Sequence, residues 1–300
     1  MNDLCPEPGW NPVTLAPVLS QLAGVLAGFV FTSIVVMLSQ SWPRRRRIPA
    51  ISLFLAAFAA LALNSYLLAV IAGETPKGGA CYRIWSEMMI ASGLLGVGAV
   101  ALTSGVAWLI AAHLEQDGGA EGAVDLERLA RAVLHGVATL AVLLLSTTSL
   151  DYLYVAFDTH PPTWLIAVVY AYLATVLVLI TVIRRRIRRT TVSSKKIARH
   201  LSKGTFGTVR YALVIAVALG GLLLAYADVY WNPTPAWLAV VVIVLAMPAA
   251  APVLLRLVYA VPRPTSRVPA PLPRTSSSRW AALIVLACVV RRLLKPRPAK

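Results

Sequence analysis

Few side chains in this sequence are equipped for chemistry, and their spacing brings only some of them within reach of one another. His135 follows Arg131 by one helical turn, so on a helix the two share a face. They are the deepest titratable groups in the apolar sequence around them, which places them at an inner vestibule. Asn64 interrupts an apolar run, and Asp151 and Asp228 stand where two such runs end. Together Asn64, Arg131, His135, Asp151 and Asp228 form the candidate lining of a pore or vestibule. Asp151, Asp158 and Asp228 also have Tyr152, Tyr154, Tyr226, Tyr230, Trp164 and Trp231 around them in sequence. Carboxylates beside aromatic faces suit an organic cation. The plainer reading is an aromatic belt at the headgroup layer with solvated acids.

Other chemistries lack their residues. Four scattered histidines cannot supply a di-iron or zinc site. No Cys-x-x-Cys occurs, so neither a metal nor a cofactor is expected. The run Ala101-Leu102-Thr103-Ser104-Gly105 lacks the first glycine of an intramembrane serine protease motif. There is no phosphate-cradling glycine loop with its lysine. The last apolar run has no lysine for a retinal Schiff base. The chain reads as a non-enzyme, and catalysis through His135 is the weakest of its readings.

The elements that position these residues are apolar. Of the 300 residues, 58% are hydrophobic and only 13% charged, with mean hydropathy +0.74. A soluble domain carries about 25% charged residues, so lipid is the indicated solvent. Seven apolar segments follow one another: 15–38, 49–72, 88–112, 129–150, 163–183, 211–227 and 236–258. Most are long enough for a hydrocarbon layer of ~30 Å at 1.5 Å per residue. The expected fold is an all-α integral membrane bundle of seven transmembrane helices.

Orientation comes from the loops. The stretch 184–203 carries nine Lys/Arg and no acid. With it inside, 26 of the 28 basic residues fall on one side, leaving Lys77 and Arg83 outside. That bias predicts the N-terminus out and the C-terminus in. The net charge of +16 sits in short loops at helix ends rather than along a soluble face. Anionic lipid is therefore the expected partner, not nucleic acid. Arg184, Arg185, Arg186, Arg188, Arg189, Lys195 and Lys196 are the candidate contacts to anionic lipid or to a cytoplasmic protein. The abundance of Arg over Lys, with Ala, Val, Leu and Pro, suggests a GC-rich bacterial genome and hence a bacterial inner membrane.

Finer features follow. Residues 1–14 form an outer arm, 15–260 the membrane domain and 261–300 a basic Pro/Ser-rich tail. Within the tail, residues 280–294 are too short an apolar run to span and are expected to form an interfacial helix; an eighth span is the alternative. Cys5 and Cys81 fall on the outer side, where they either form a disulfide or remain two thiols. Trp10-Asn11-Pro12, His160-Pro161-Pro162 and Trp231-Asn232-Pro233 read as interfacial helix starts. Gly122 precedes a helix that runs into the fourth segment. Gly24 and Gly28, Ala56 and Ala60, Ser92 and Gly96, and Ala101 and Gly105 have helix-packing spacing, and the first pair suits a homodimer. Pro248 and Pro252 mark a hinge or a static bend. Asn64, Ser65 and the run Ser146 to Ser149 are expected to hydrogen-bond between helices.

The similar openings of the first, fifth and seventh segments suggest a three-plus-three repeat. That layout resembles the SWEET and PQ-loop sugar transporters, but the chain contains no Pro-Gln dipeptide. The favoured function is a non-enzymatic sensor or scaffold with a basic cytoplasmic face. The alternative is a channel or facilitator for a small neutral or cationic solute.

Overall fold

The computed structural model describes residues 11–39, 44–74, 80–114, 123–157, 161–189, 203–214 and 250–259. All its regular elements within these residues are helices. The five long ones are α1 (Pro12–Ser39), α2 (Arg44–Ala72), α3 (Ala80–Leu114), α4 (Ala123–Ala156) and α5 (Thr163–Arg189). Two shorter ones, α6 (203–214) and α7 (Ala250–Tyr259), cover parts of the sixth and seventh apolar segments. The expected outer arm up to residue 10 and the whole tail, including the helix expected at 280–294, lie outside the described residues.

Helix starts follow local chemistry. Asn11 caps α1: its Oδ1 accepts a 2.9 Å bond from Val13 N–H, and Pro12 takes the first helical position, where no N–H is needed. At α5 the carbonyl of Pro162 accepts from Leu165 N–H at 2.9 Å. α4 begins at Ala123, directly after Gly122, as the sequence predicts.

The helices outrun the apolar segments. α5 continues past its apolar stretch, which ends at Ile183, as far as Arg189. α2 begins in the arginines before its apolar stretch, at Arg44. Arginine is a good helix former, so nothing in these sequences ends the helix where the hydropathy falls.

Neighbouring helices run antiparallel. Phe31 of α1 lies 5.8 Å from Phe58 of α2, while Ser20, further back on α1, meets Ser65, further on along α2. Gly98 of α3 lies against Leu61 and Gly105 against Phe54. Ser92 of α3 meets Thr148 of α4, and Gly96 meets Ala141. α5 then packs on α4.

α3 is the central helix. It contacts α1, α2 and α4, the Tyr211 side chain of α6 at Gly93, and the Leu257 carbonyl of α7 through Ser104 Oγ at 3.5 Å. From Ile84 to Leu94 every residue of α3 is buried. Small residues permit this crowding. A Cβ on Gly96 would stand 2.8 Å from that of Ala141, and one on Gly98 2.9 Å from the Leu61 side chain. Without a strong hydrophobic drive between helices in lipid, such close approach is what dispersion forces reward.

The outside of the bundle is as apolar as its inside. Phe29 is 67% exposed, Leu140 65% and Val178 60%. On α5 the buried residues Leu165, Val169, Val176 and Ile180 form one stripe, and the apolar remainder faces outward. A soluble fold does not present contiguous apolar surface on this scale. Five of the helices are long and apolar enough to cross a membrane. This is the architecture of a multi-pass helical membrane protein.

Candidate functional site

Two ends of the bundle differ in charge. With the helices antiparallel, the start of α2 (Arg44 to Arg47), the start of α4 (Arg128, Arg131) and the end of α5 (Arg184 to Arg189) share one end. Arg256 of α7 and Gly204 at the start of α6 lie against each other nearby. Among the described side chains here the acid is Asp125, bonded at 2.9 Å to Arg128 on an exposed surface.

At the opposite end stand Glu74, Arg83, Glu87 and Asp151. Arg83 Nη2 donates to Glu74 Oε1, and Arg83 Nε lies 3.6 Å from Glu87 Oε1. The Glu87 side chain is 3% exposed, that of Arg83 23% and that of Glu74 15%. One guanidinium thus serves two carboxylates, one of them withdrawn from solvent. Glu87 lies inside the apolar span of α3, which begins at Arg83 rather than at Met88. The signal was present in the sequence, because Arg83 and Glu87 have the i, i+4 spacing of a helical ion pair.

The proposed pore residues are spread over the length of the bundle. Arg131 and Asp151 belong to the same helix, about 30 Å apart at 1.5 Å per residue. His135 Nδ1 lies 2.6 Å from the Arg131 carbonyl oxygen. That oxygen can only accept, so the ring nitrogen donates and ties the imidazole to its own helix. Asn64 is fully buried in α2, away from both ends. Asp228 lies outside the described residues. Among those described, the structure does not bring these groups into one vestibule.

The remaining candidates divide similarly. Cys5 and the side chain of Cys81 lie outside what is described, as do Lys195, Lys196 and Pro248. Arg184, Arg185, Arg186, Arg188 and Arg189 extend α5 as helix, with Arg185 exposed. Pro252 is exposed in the first turn of α7 as described. Gly24 approaches the Ser65 hydroxyl of the same chain, whereas Gly28 faces outward with nothing near it.

The polar insertions in the spans fare unequally. Ser20 and Ser65 exchange two hydroxyl-to-carbonyl bonds of 2.8 and 2.9 Å, linking α1 to α2. Thr148 Oγ1 lies 3.4 Å from Ser92 Oγ across α3 and α4, and Ser149 donates to the carbonyl of Leu145. Asn64 and Ser146, expected to join helices, have no hydrogen-bond partner among the described residues. The hydroxyls of Tyr172 and Tyr211 share that condition, and no sequence pattern picks these two out.

No family model, no curated protein and no solved structure matches this chain. Function therefore rests on the residues themselves.

Proposed function

We propose that the chain is a seven-span protein of a bacterial cytoplasmic membrane, N-terminus outside and C-terminus inside. In this reading it works without catalysis, as a sensor or scaffold whose basic cytoplasmic face meets anionic headgroups and a cytoplasmic protein. The observation that carries the reading is the end of α5. The helix persists beyond Ile183 to Arg189 and so carries five arginines on the same end as the arginines that open α2 and α4. Arginines gathered at one end attract anionic lipid and favour that end for the cytoplasmic side. The one basic side chain described at the other end, Arg83, already has its charge offset by Glu74 and Glu87. It contributes little opposing bias.

Reporters fused to each terminus and to the loop after α5 test the layout. A fluorescent protein that folds only in the cytoplasm should light at the C-terminus and in that loop. A phosphatase that works only outside should be active at the N-terminus. Both termini on the same side would defeat the seven-span reading. A second reading, a facilitator for a small solute, is favoured by the unpartnered Asn64 and Ser146 within the bundle.

A further inference from the structure

The start of α6 carries a face that helix packing leaves unused. Its exposed residues are Lys203, Phe206, Arg210, Leu213 and Val214. At 100° per residue they fall within about 100° of the helix circumference. The buried side turns the other way. Tyr211 reaches Gly93 of α3, while Gly204 and Gly207 pack on Arg256 and Val253 of α7. The exposed face is therefore directed out of the bundle.

Phe206 is its most informative member. The ring is 72% exposed, more than any other large apolar side chain described. In mid-span such a ring would simply meet acyl chains. Phe206 stands before the sixth apolar segment, which begins at residue 211, and has Lys203 three residues before it and Arg210 four residues after it. That spacing puts the ring and both cations on one side of the helix. At the edge of an apolar segment, an apolar ring reaches the acyl boundary and long basic side chains extend to phosphate.

The partner helix adds a third cation. The point a Gly204 Cβ would occupy lies 3.7 Å from the Cβ of Arg256, and Arg256 is exposed. Gly207 meets Val253, so α6 and α7 run antiparallel, and Lys203 and Arg256 leave them at one level. Among the described residues no carboxylate is paired with Lys203, Arg210 or Arg256, and Asp125 at this end is bonded to Arg128. A soluble anion would satisfy these charges and leave the ring in water. A neutral lipid would cover the ring and leave the charges unmet. A lipid with an anionic head satisfies both.

We infer that Lys203, Phe206, Arg210 and Arg256 form a discrete docking surface for one anionic phospholipid. Its phosphate sits among the three cations, and an acyl chain lies along Phe206, Leu213 and Val214. The inference rests on the reading that the basic end of the bundle faces anionic headgroups, and it adds a site on helices other than α5.

Native mass spectrometry of the full-length chain in detergent tests it, with phosphatidylglycerol titrated against phosphatidylcholine of the same acyl chains. The wild type should hold one phosphatidylglycerol per chain more tightly than phosphatidylcholine. Each basic residue near an anionic surface is worth about fivefold in binding, so combining Lys203→Gln, Arg210→Gln and Arg256→Gln should weaken that lipid on the order of a hundredfold. Phe206→Ser should weaken it about tenfold while leaving its dependence on salt unchanged. Changing the five arginines of α5 to Gln should leave this one lipid in place. No preference for phosphatidylglycerol in the wild type would overturn the site together with the anionic-lipid reading it rests on. A preference lost in the α5 variant but kept in the triple variant would overturn the site alone. A triple variant that melts far below the wild type would show the three cations bonded within the protein, and would also overturn it.

Discussion

Arg83 Nε stands 3.6 Å from Glu87 Oε1, one turn along α3, and the Glu87 side chain is 3% exposed. A carboxylate so withdrawn from solvent depends on its guanidinium, which Glu74 holds from the other side. Breaking a buried pair by removing one partner typically costs 3–5 kcal/mol, because the remaining charge is stranded. Arg83→Ala should therefore lower the melting temperature in detergent strongly. The double variant Arg83→Ala with Glu87→Gln should recover most of the loss, since no charge is then left buried. A double variant no more stable than Arg83→Ala would show that Glu87 does not rely on Arg83.

How much of this was legible beforehand depended on the range of the interaction. The cap at Asn11 and the start of α4 after Gly122 are decided within a few residues, and the sequence displays them. The Arg83–Glu87 spacing is equally local. Hydropathy hides it, because the apolar run starts at Met88, where charge stops, although the helix starts at Ala80. Hydropathy likewise falls at Ile183, before the arginines through which α5 continues. By contrast, the meeting of Tyr211 with Gly93 joins α6 to α3, and no pattern along the chain encodes it. Asn64 and Ser146 were visible as polar insertions. That they remain unpartnered, while Ser65 and Thr148 find partners, depends on how the helices are rotated about their axes.

Glycine substitutions separate packing inside the chain from packing between chains. A Cβ at Gly96 would meet the Ala141 Cβ at 2.8 Å and its Cα at 3.5 Å, with no flexible side chain to yield. Gly96→Ala should force α3 from α4 and cost about 1–3 kcal/mol, the usual penalty of overpacking. Gly28→Ala meets nothing within 4 Å and should leave monomer stability unchanged. If Gly28 forms the homodimer face its spacing suggests, Gly28→Ile should reduce cross-linking between copies while the melting temperature holds. Equal loss of stability for Gly96→Ala and Gly28→Ala would contradict the helix pairing described above.

Ser20 and Ser65 make reciprocal bonds, each hydroxyl donating to the other's carbonyl. Interhelical hydrogen bonds of this kind in membranes average about 0.6 kcal/mol. Ser20→Ala and Ser65→Ala should each cost about that much, and the pair should show a small coupling energy because the two hydroxyls themselves are 3.4 Å apart. Gly24 leaves room for these bonds, since a Cβ there would stand 3.2 Å from Ser65 Oγ. Strict additivity in a double-mutant cycle would reduce the contact to two independent bonds.

The proposed role of the arginines at the end of α5 is toward lipid rather than toward folding. At 100° per residue, positions 184, 185, 186, 188 and 189 spread over about 200° of the helix, wider than one neighbouring helix covers. Each contributes about 1 kcal/mol of attraction to an anionic surface. Changing all five to Gln should leave the unfolding free energy within about 1 kcal/mol of wild type. It should also sharply reduce the enrichment of phosphatidylglycerol around the protein in mixed-lipid nanodiscs, measured by the lipid retained after purification. High salt should weaken the enrichment of the wild type and barely affect the variant, because exposed charges are screened within about 8 Å at physiological ionic strength. Enrichment that survives both the substitutions and the salt would mean that the rod of arginines faces protein, not lipid.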